Sequence, residues 1–192
     1  MELGNKVELL IQLLKNKGIH FEKGLTNEEL ITVEADFDIE FPRDLQILLC
    51  TALPVSKKFI DWRKALSSRK YENEVLERIN WPLDGMLFDI ENNGFWNNHW
   101  GEKPERLELQ KEIAIENFKK YPKLIPIYSH RYIPSVPHEA GNPIFSVYQM
   151  DIIYYGNDLA TYFRNEFHFK LPEYFEIPQK PKYIEFWSEQ VE

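Results

Sequence analysis

The sequence predicts an α+β fold, a largely antiparallel central sheet with helices packed on it. Two observations point there. Apolar residues recur at helical spacing through the first third of the chain, and short strand-like runs bounded by turn residues gather between Leu124 and Gly156. At 192 residues the chain is most simply one domain, residues 1–192, large enough to bury its own core.

Leu3, Val7, Leu10, Ile11 and Leu14 mark one face of a first helix, with Gly18 as its stop. Thr26 and Glu29 form a capping box, each side chain satisfying the other residue's free backbone N–H, and Leu25 and Leu30 fit the accompanying hydrophobic staple. That helix turns Leu30, Val33 and Phe37 inward and fades by Asp38. Pro42, with its φ already near helical, starts a helix that buries Leu45, Leu48 and Leu49. A further helical region is expected over Lys57–Leu66, resuming over Tyr71–Ile79.

Trp81-Pro82-Leu83-Asp84-Gly85 reads as a turn, Met86–Ile90 as a short strand and Asn92-Asn93-Gly94 as a tight turn. After an aromatic insert, Phe95–Gly101, Pro104 opens a helix over Glu105–Lys120. Leu124–Ile127, Ile144–Tyr148 and Ile152–Tyr155 read as strands, with Tyr128–Asn142 as a proline-studded loop. Asn157 or Asp158 caps a short helix carrying Leu159, Tyr162, Phe163 and Phe167, and the tail from Leu171 packs back on the domain.

Composition bounds the function. Hydrophobic residues are 43% and aromatics 15%, a globular and aromatic chain. A formal net charge of −8 argues against non-specific nucleic-acid binding, which needs a basic face. It suits a basic protein partner, and it is also ordinary solubility charge. The N-terminal segment has acidic residues and no small-residue cleavage site, and no apolar run reaches membrane-spanning length, so the cytoplasm is the expected location, with no membrane partner. Lone Cys50 sits in an apolar run, where an inert thiol is expected.

His99, His130 and His138 invite a metal reading, but an i to i+8 pair across prolines has no registry that would aim both rings at one ion. No metal and no cofactor is assigned. No serine sits in a Gly-x-Ser-x-Gly pattern, and no catalytic residue is assigned. The insert crowds Trp96, His99 and Trp100 around Asn97 and Asn98, which fits a partner interface, a sugar or peptide site, or a loop folded back over a sheet edge. Arg131 and Tyr132 follow His130; Arg131 is expected to clamp the loop through Glu139 or Asp151, with recognition as its second role.

The order of these pieces resembles the SUKH superfamily, the fold shared by yeast cell-wall-assembly regulators and many bacterial immunity proteins. The resemblance rests on the capped helix LTNEELITVEADFDIEFPRDLQILL, on Leu124-Ile125-Pro126-Ile127 as its "IPI" strand, and on Phe145–Tyr155 as its paired strands. It runs from about Leu25 to Phe163, and the chain departs from the family's pattern in Tyr128–Asn142. The resemblance implies a non-enzymatic protein-binding domain, an immunity protein that neutralises a partner toxin by direct binding, with a nuclease as one kind of toxin. Partner-contacting candidates are Trp96, His99, Trp100, His130, Arg131, Tyr132 and His138. A regulatory scaffold binding peptides or signalling partners is the alternative. A glycan or small-ligand binder pairing Trp96 and Trp100 with His130 or Asp151 is the third.

Overall fold

The computed structural model describes residues 2–191. Four strands form the central sheet: β3 (Leu124–Tyr128), β4 (Arg131–Pro134), β5 (Ile144–Tyr148) and β6 (Asp151–Gly156). They run in sequence order as an antiparallel meander. Pro126 lies on edge strand β3, where a missing N–H is tolerated. A separate two-stranded ribbon pairs β1 (Phe21–Lys23) with β2 (Ala52–Pro54).

Helices α1 (Leu3–Asn16), α2 (Asn27–Asp36), α3 (Arg43–Thr51), α4 (Trp62–Ser67) and α7 (Leu159–Phe167) share one core with Ile125, Ile127, Ile133 and Ile144 of the sheet. The opposite face of the sheet, with Leu124, Tyr132, Phe145, Val147 and Ile152, packs on α5 (Arg69–Asn92), α6 (Leu107–Phe118) and the tail residues Ile184, Phe186 and Trp187. The period-2 alternation of side chains along each strand sends one set of residues to each core. The sheet is therefore covered on both sides.

The local chemistry read from the sequence sets several boundaries. Glu29 N–H donates to Thr26 Oγ1 at 3.1 Å, and Thr26 N–H donates to Glu29 Oε2 at 2.8 Å, closing the capping box. The Arg63 side chain of α4 grips the same carboxylate with two N–H groups, at 2.6 and 3.0 Å, and donates to the Lys23 and Gly24 carbonyls. Asp158 caps α7 and forms a second box with Thr161. Gly18 stops α1 at a φ of 83°, left-handed backbone that suits glycine.

Three expectations are corrected. First, Trp81–Gly85 is not a turn and Met86–Ile90 is not a strand: both lie inside α5, a continuous 24-residue helix. A proline in a helix interior deprives the carbonyl four residues back of its donor. Here that carbonyl belongs to Arg78, and the hydroxyl of Tyr132 donates to it at 2.9 Å. Gly85 has a packing reason too, since a Cβ there would stand 2.7 Å from Gln149 Cα in the β5–β6 turn. One turn on, Asp89 accepts from the backbone N–H of Met150 at 2.8 Å, so the glycine and the aspartate dock the turn against the helix. Asn92-Asn93-Gly94 ends this helix, with Gly94 at a φ of 73°.

Second, the Tyr128–Asn142 loop contains strand β4, paired on both sides. Third, the Lys57–Leu66 helix begins only at Trp62; Phe59 instead bridges Tyr128 beside edge strand β3. Cys50 is half-buried, and burial pushes its thiol up, which disfavours the reactive thiolate.

Candidate partner-binding surface

The seven sequence-selected residues fall in different places. Trp96 and Trp100 meet edge-to-face at 5.1 Å, and their indole N–H groups donate to the Gly101 carbonyl and the Tyr121 hydroxyl. Trp100 also stacks on Phe186. The insert is thus folded onto the second core and the tail, with His99 exposed near Glu189. His138 lies on the β4–β5 loop, its Nε2 3.2 Å from a Glu40 carboxylate oxygen.

Arg131 and Tyr132 project to opposite faces of β4. Arg131 Nε pairs with Glu166 of α7 at 3.1 Å, its Nη1 donates to Ser146 Oγ at 2.8 Å, and its guanidinium lies 3.7 Å from the centre of the Tyr155 ring. Neither expected partner holds it: Glu139 pairs with Lys182, and Asp151 stands at the exposed end of β6. The clamp exists with other members, because α7 returns a carboxylate to the strand from 35 residues away. Tyr132 is 1% exposed and tied to Arg78. Both side chains are committed to the interior.

His130 opens onto a cleft whose wall includes Tyr132. This cleft of about 270 Å³ lies between α5 and the tips of the β3–β4 and β5–β6 hairpins, lined by Arg78, Trp81, Ser129, His130, Tyr132 and Tyr148. Arg78 Nη2 donates to the Ser129 carbonyl. Burial, with the charges of Arg131, Arg78 and Lys58 and against Glu166, holds the His130 imidazole below its ordinary range. Ser129 Oγ stands 3.2 Å from His130 Nδ1, but among the described residues no carboxylate pairs with the ring to orient it as a base.

A second feature was hidden by the misread turn. Along α5 the positions Glu74, Glu77, Trp81, Asp84, Phe88 and Glu91 are all exposed and step by three or four residues. That spacing puts them on one face, within an arc of about 100°. Trp81 is 47% exposed and Phe88 48%, and Tyr148, at 61%, lines the same cleft as Trp81. Acid and aromatic side chains thus alternate along about 25 Å of helix. Glu91 pairs with Lys111 of α6 at 2.6 Å. The signal was in the sequence, but it appears only when the helical count is carried through Pro82.

Among the described residues no group of three His, Cys, Asp or Glu could hold a metal ion, and no helix is long and apolar enough to cross a membrane. No protein-family model, curated protein or solved structure matches the chain.

Proposed function

We propose that this chain is a non-enzymatic binding protein of the immunity type, which neutralises a basic toxin domain in the cytoplasm by covering it; a nuclease is the leading kind of toxin. The observation that carries this reading is the exposed acidic and aromatic stripe of α5. Exposed Trp and Phe are anchors of the kind that dominate protein interfaces, and acids between them reject a like-charged partner and attract a basic one. The net charge of −8 extends that field over the molecule. The resemblance to the SUKH superfamily supports the same reading.

Magnitude limits what the stripe does. A helix face about 25 Å long and 10 Å wide offers roughly 250 Å², against about 800 Å² per partner in a standard interface. The stripe supplies anchors, and neighbouring surface, Tyr148 and α6 included, must supply the rest.

The test is co-purification with, and protection against, a toxin encoded beside the gene. Trp81→Ala with Phe88→Ala should weaken binding about 30-fold or more, the range of an interface hot spot. Affinity should also fall as salt rises. A folded double variant that still binds and protects like wild type removes the stripe from the interface, and failure of the wild type to protect ends the immunity reading.

A further inference from the structure

The cleft at the hairpin tips has a charge opposite to that of the molecule around it. Arg78 is half-buried at its wall, and among the described residues no carboxylate pairs with its guanidinium. By contrast Arg63, Arg69, Arg106 and Arg131 each hold one; among the described residues Arg43 and Arg164 also lack one, but they donate to the side-chain amides of Gln46 and Asn165. One Arg78 N–H group is used on the Ser129 carbonyl, which fixes the plane of the guanidinium and leaves other donors to the cleft. Lys58 adds a second cation nearby, over the Tyr128 ring and likewise without a carboxylate. In a chain with 31 acidic and 23 basic residues, an unpaired arginine in a cleft is a group prepared for an anion from outside.

The other walls are aromatic. Trp81 and Tyr148 expose about half or more of their surface at the mouth of the cleft. Flat rings stack there at little conformational cost. His130, whose imidazole burial holds below its ordinary range, adds a ring nitrogen to the cleft.

We propose that this cleft binds a small anion carried on a flat ring, with the anionic group on Arg78 and the ring against Trp81 and Tyr148. A volume of about 270 Å³ is at the lower limit for a ligand pocket, so the ligand is a small molecule with one or two flat rings. Two sources share that chemistry: a nucleoside monophosphate, through its phosphate and base, and an aromatic carboxylic acid. Ligands of this size reach dissociation constants of about 10 µM to 10 mM. The inference does not rest on the toxin reading, since the probes are added to the isolated chain.

The experiment is amide NMR titration of the full chain with AMP, adenosine, benzoate, benzamide and inorganic phosphate. The expected result is saturable shifts at Arg78, Trp81, Ser129, His130 and Tyr148 with AMP or benzoate, at least tenfold tighter than with the matching neutral compound. AMP alone assigns a nucleotide, and benzoate alone assigns an aromatic acid. Arg78→Gln should weaken the anionic probe tenfold or more without changing the neutral one. Trp81→Ala, at an exposed position that leaves the fold intact, should weaken it about threefold or more. No saturable shift with either anion at 10 mM, equal binding of the neutral compounds, or phosphate binding as tightly as AMP overturns the proposal.

Discussion

Replacing Tyr132 by Phe removes one hydroxyl and tests why a proline sits inside α5. The ring stays packed in the second core, where Tyr132 is 1% exposed, so no cavity term enters beyond the lost oxygen. What changes is the Arg78 carbonyl, which Pro82 already deprives of its helical donor and which then loses the hydroxyl at 2.9 Å as well. An unpaired, partly desolvated carbonyl costs about 1–3 kcal/mol. The cleft beside Arg78 admits some water, which puts the cost near the lower half, about 1.5 kcal/mol. In a chain of this size that lowers Tm by about 3–6 °C. The decisive assay is a double-mutant cycle by urea unfolding, with Pro82→Ala as the second change. Alanine at 82 restores the missing N–H, so Tyr132→Phe should become nearly free in that background, a coupling of about 1.5 kcal/mol. Equal cost of Tyr132→Phe in both backgrounds would refute the account of the helix.

Three further outcomes follow from the packing. Among the described residues the buried Tyr162 hydroxyl has no partner, so Tyr162→Phe should raise stability by about 1 kcal/mol in thermal or urea unfolding, and a loss would mean that the hydroxyl has a partner. Gly85→Ala should destabilise by about 1–3 kcal/mol even though alanine favours helix by about 1 kcal/mol, because the new methyl meets Gln149 Cα; a gain in stability would show that the turn yields. Glu29, held by Arg63 and the Thr26 N–H, has its pKa lowered from 4.5 to about 2. A lowered carboxyl pKa stabilises the fold above the unfolded value and is lost as pH falls from about 4.5 toward about 2. Taken whole, that shift is about 3 kcal/mol, and solvent screening at this partly exposed pair leaves about 1 kcal/mol. The deficit of Glu29→Gln in urea unfolding should therefore be constant above about pH 5.5 and vanish toward pH 2, and a pH-independent deficit would rule the ion pair out.

Features written in neighbouring residues were legible. Thr26 and Glu29 are three positions apart, and Asp158 and Thr161 likewise, so both caps follow from local chemistry. The strands Leu124–Tyr128 and Ile144–Tyr148 declared themselves by apolar runs between turn residues. What failed was written across distance. Pro82 and Gly85 carry turn chemistry locally, and only Tyr132, 54 positions from Arg78, and Gln149 turn them into helix residues. Arg131 looked like a loop residue because Glu166, the carboxylate that lets it enter a strand, lies on another element. The site suffered from the same cause. His130 was singled out, but of its companions only Arg78 lies in the expected Tyr71–Ile79 helix; Trp81 sits on the continuation of that helix that was not foreseen, and Tyr148 at the far end of a hairpin.

Helix α5 takes part in both cores. Val75 in its first half belongs with α1, α3 and α7, and Met86 and Ile90 in its second half belong with α6 and the tail. Pro82 and Gly85 stand where the membership changes. One rod therefore threads two oily compartments that the sheet otherwise keeps apart. Neither compartment can open without straining the half of the rod set in the other, so the two should melt as a single cooperative unit, and hydrogen exchange along both halves of α5 should report one common opening free energy.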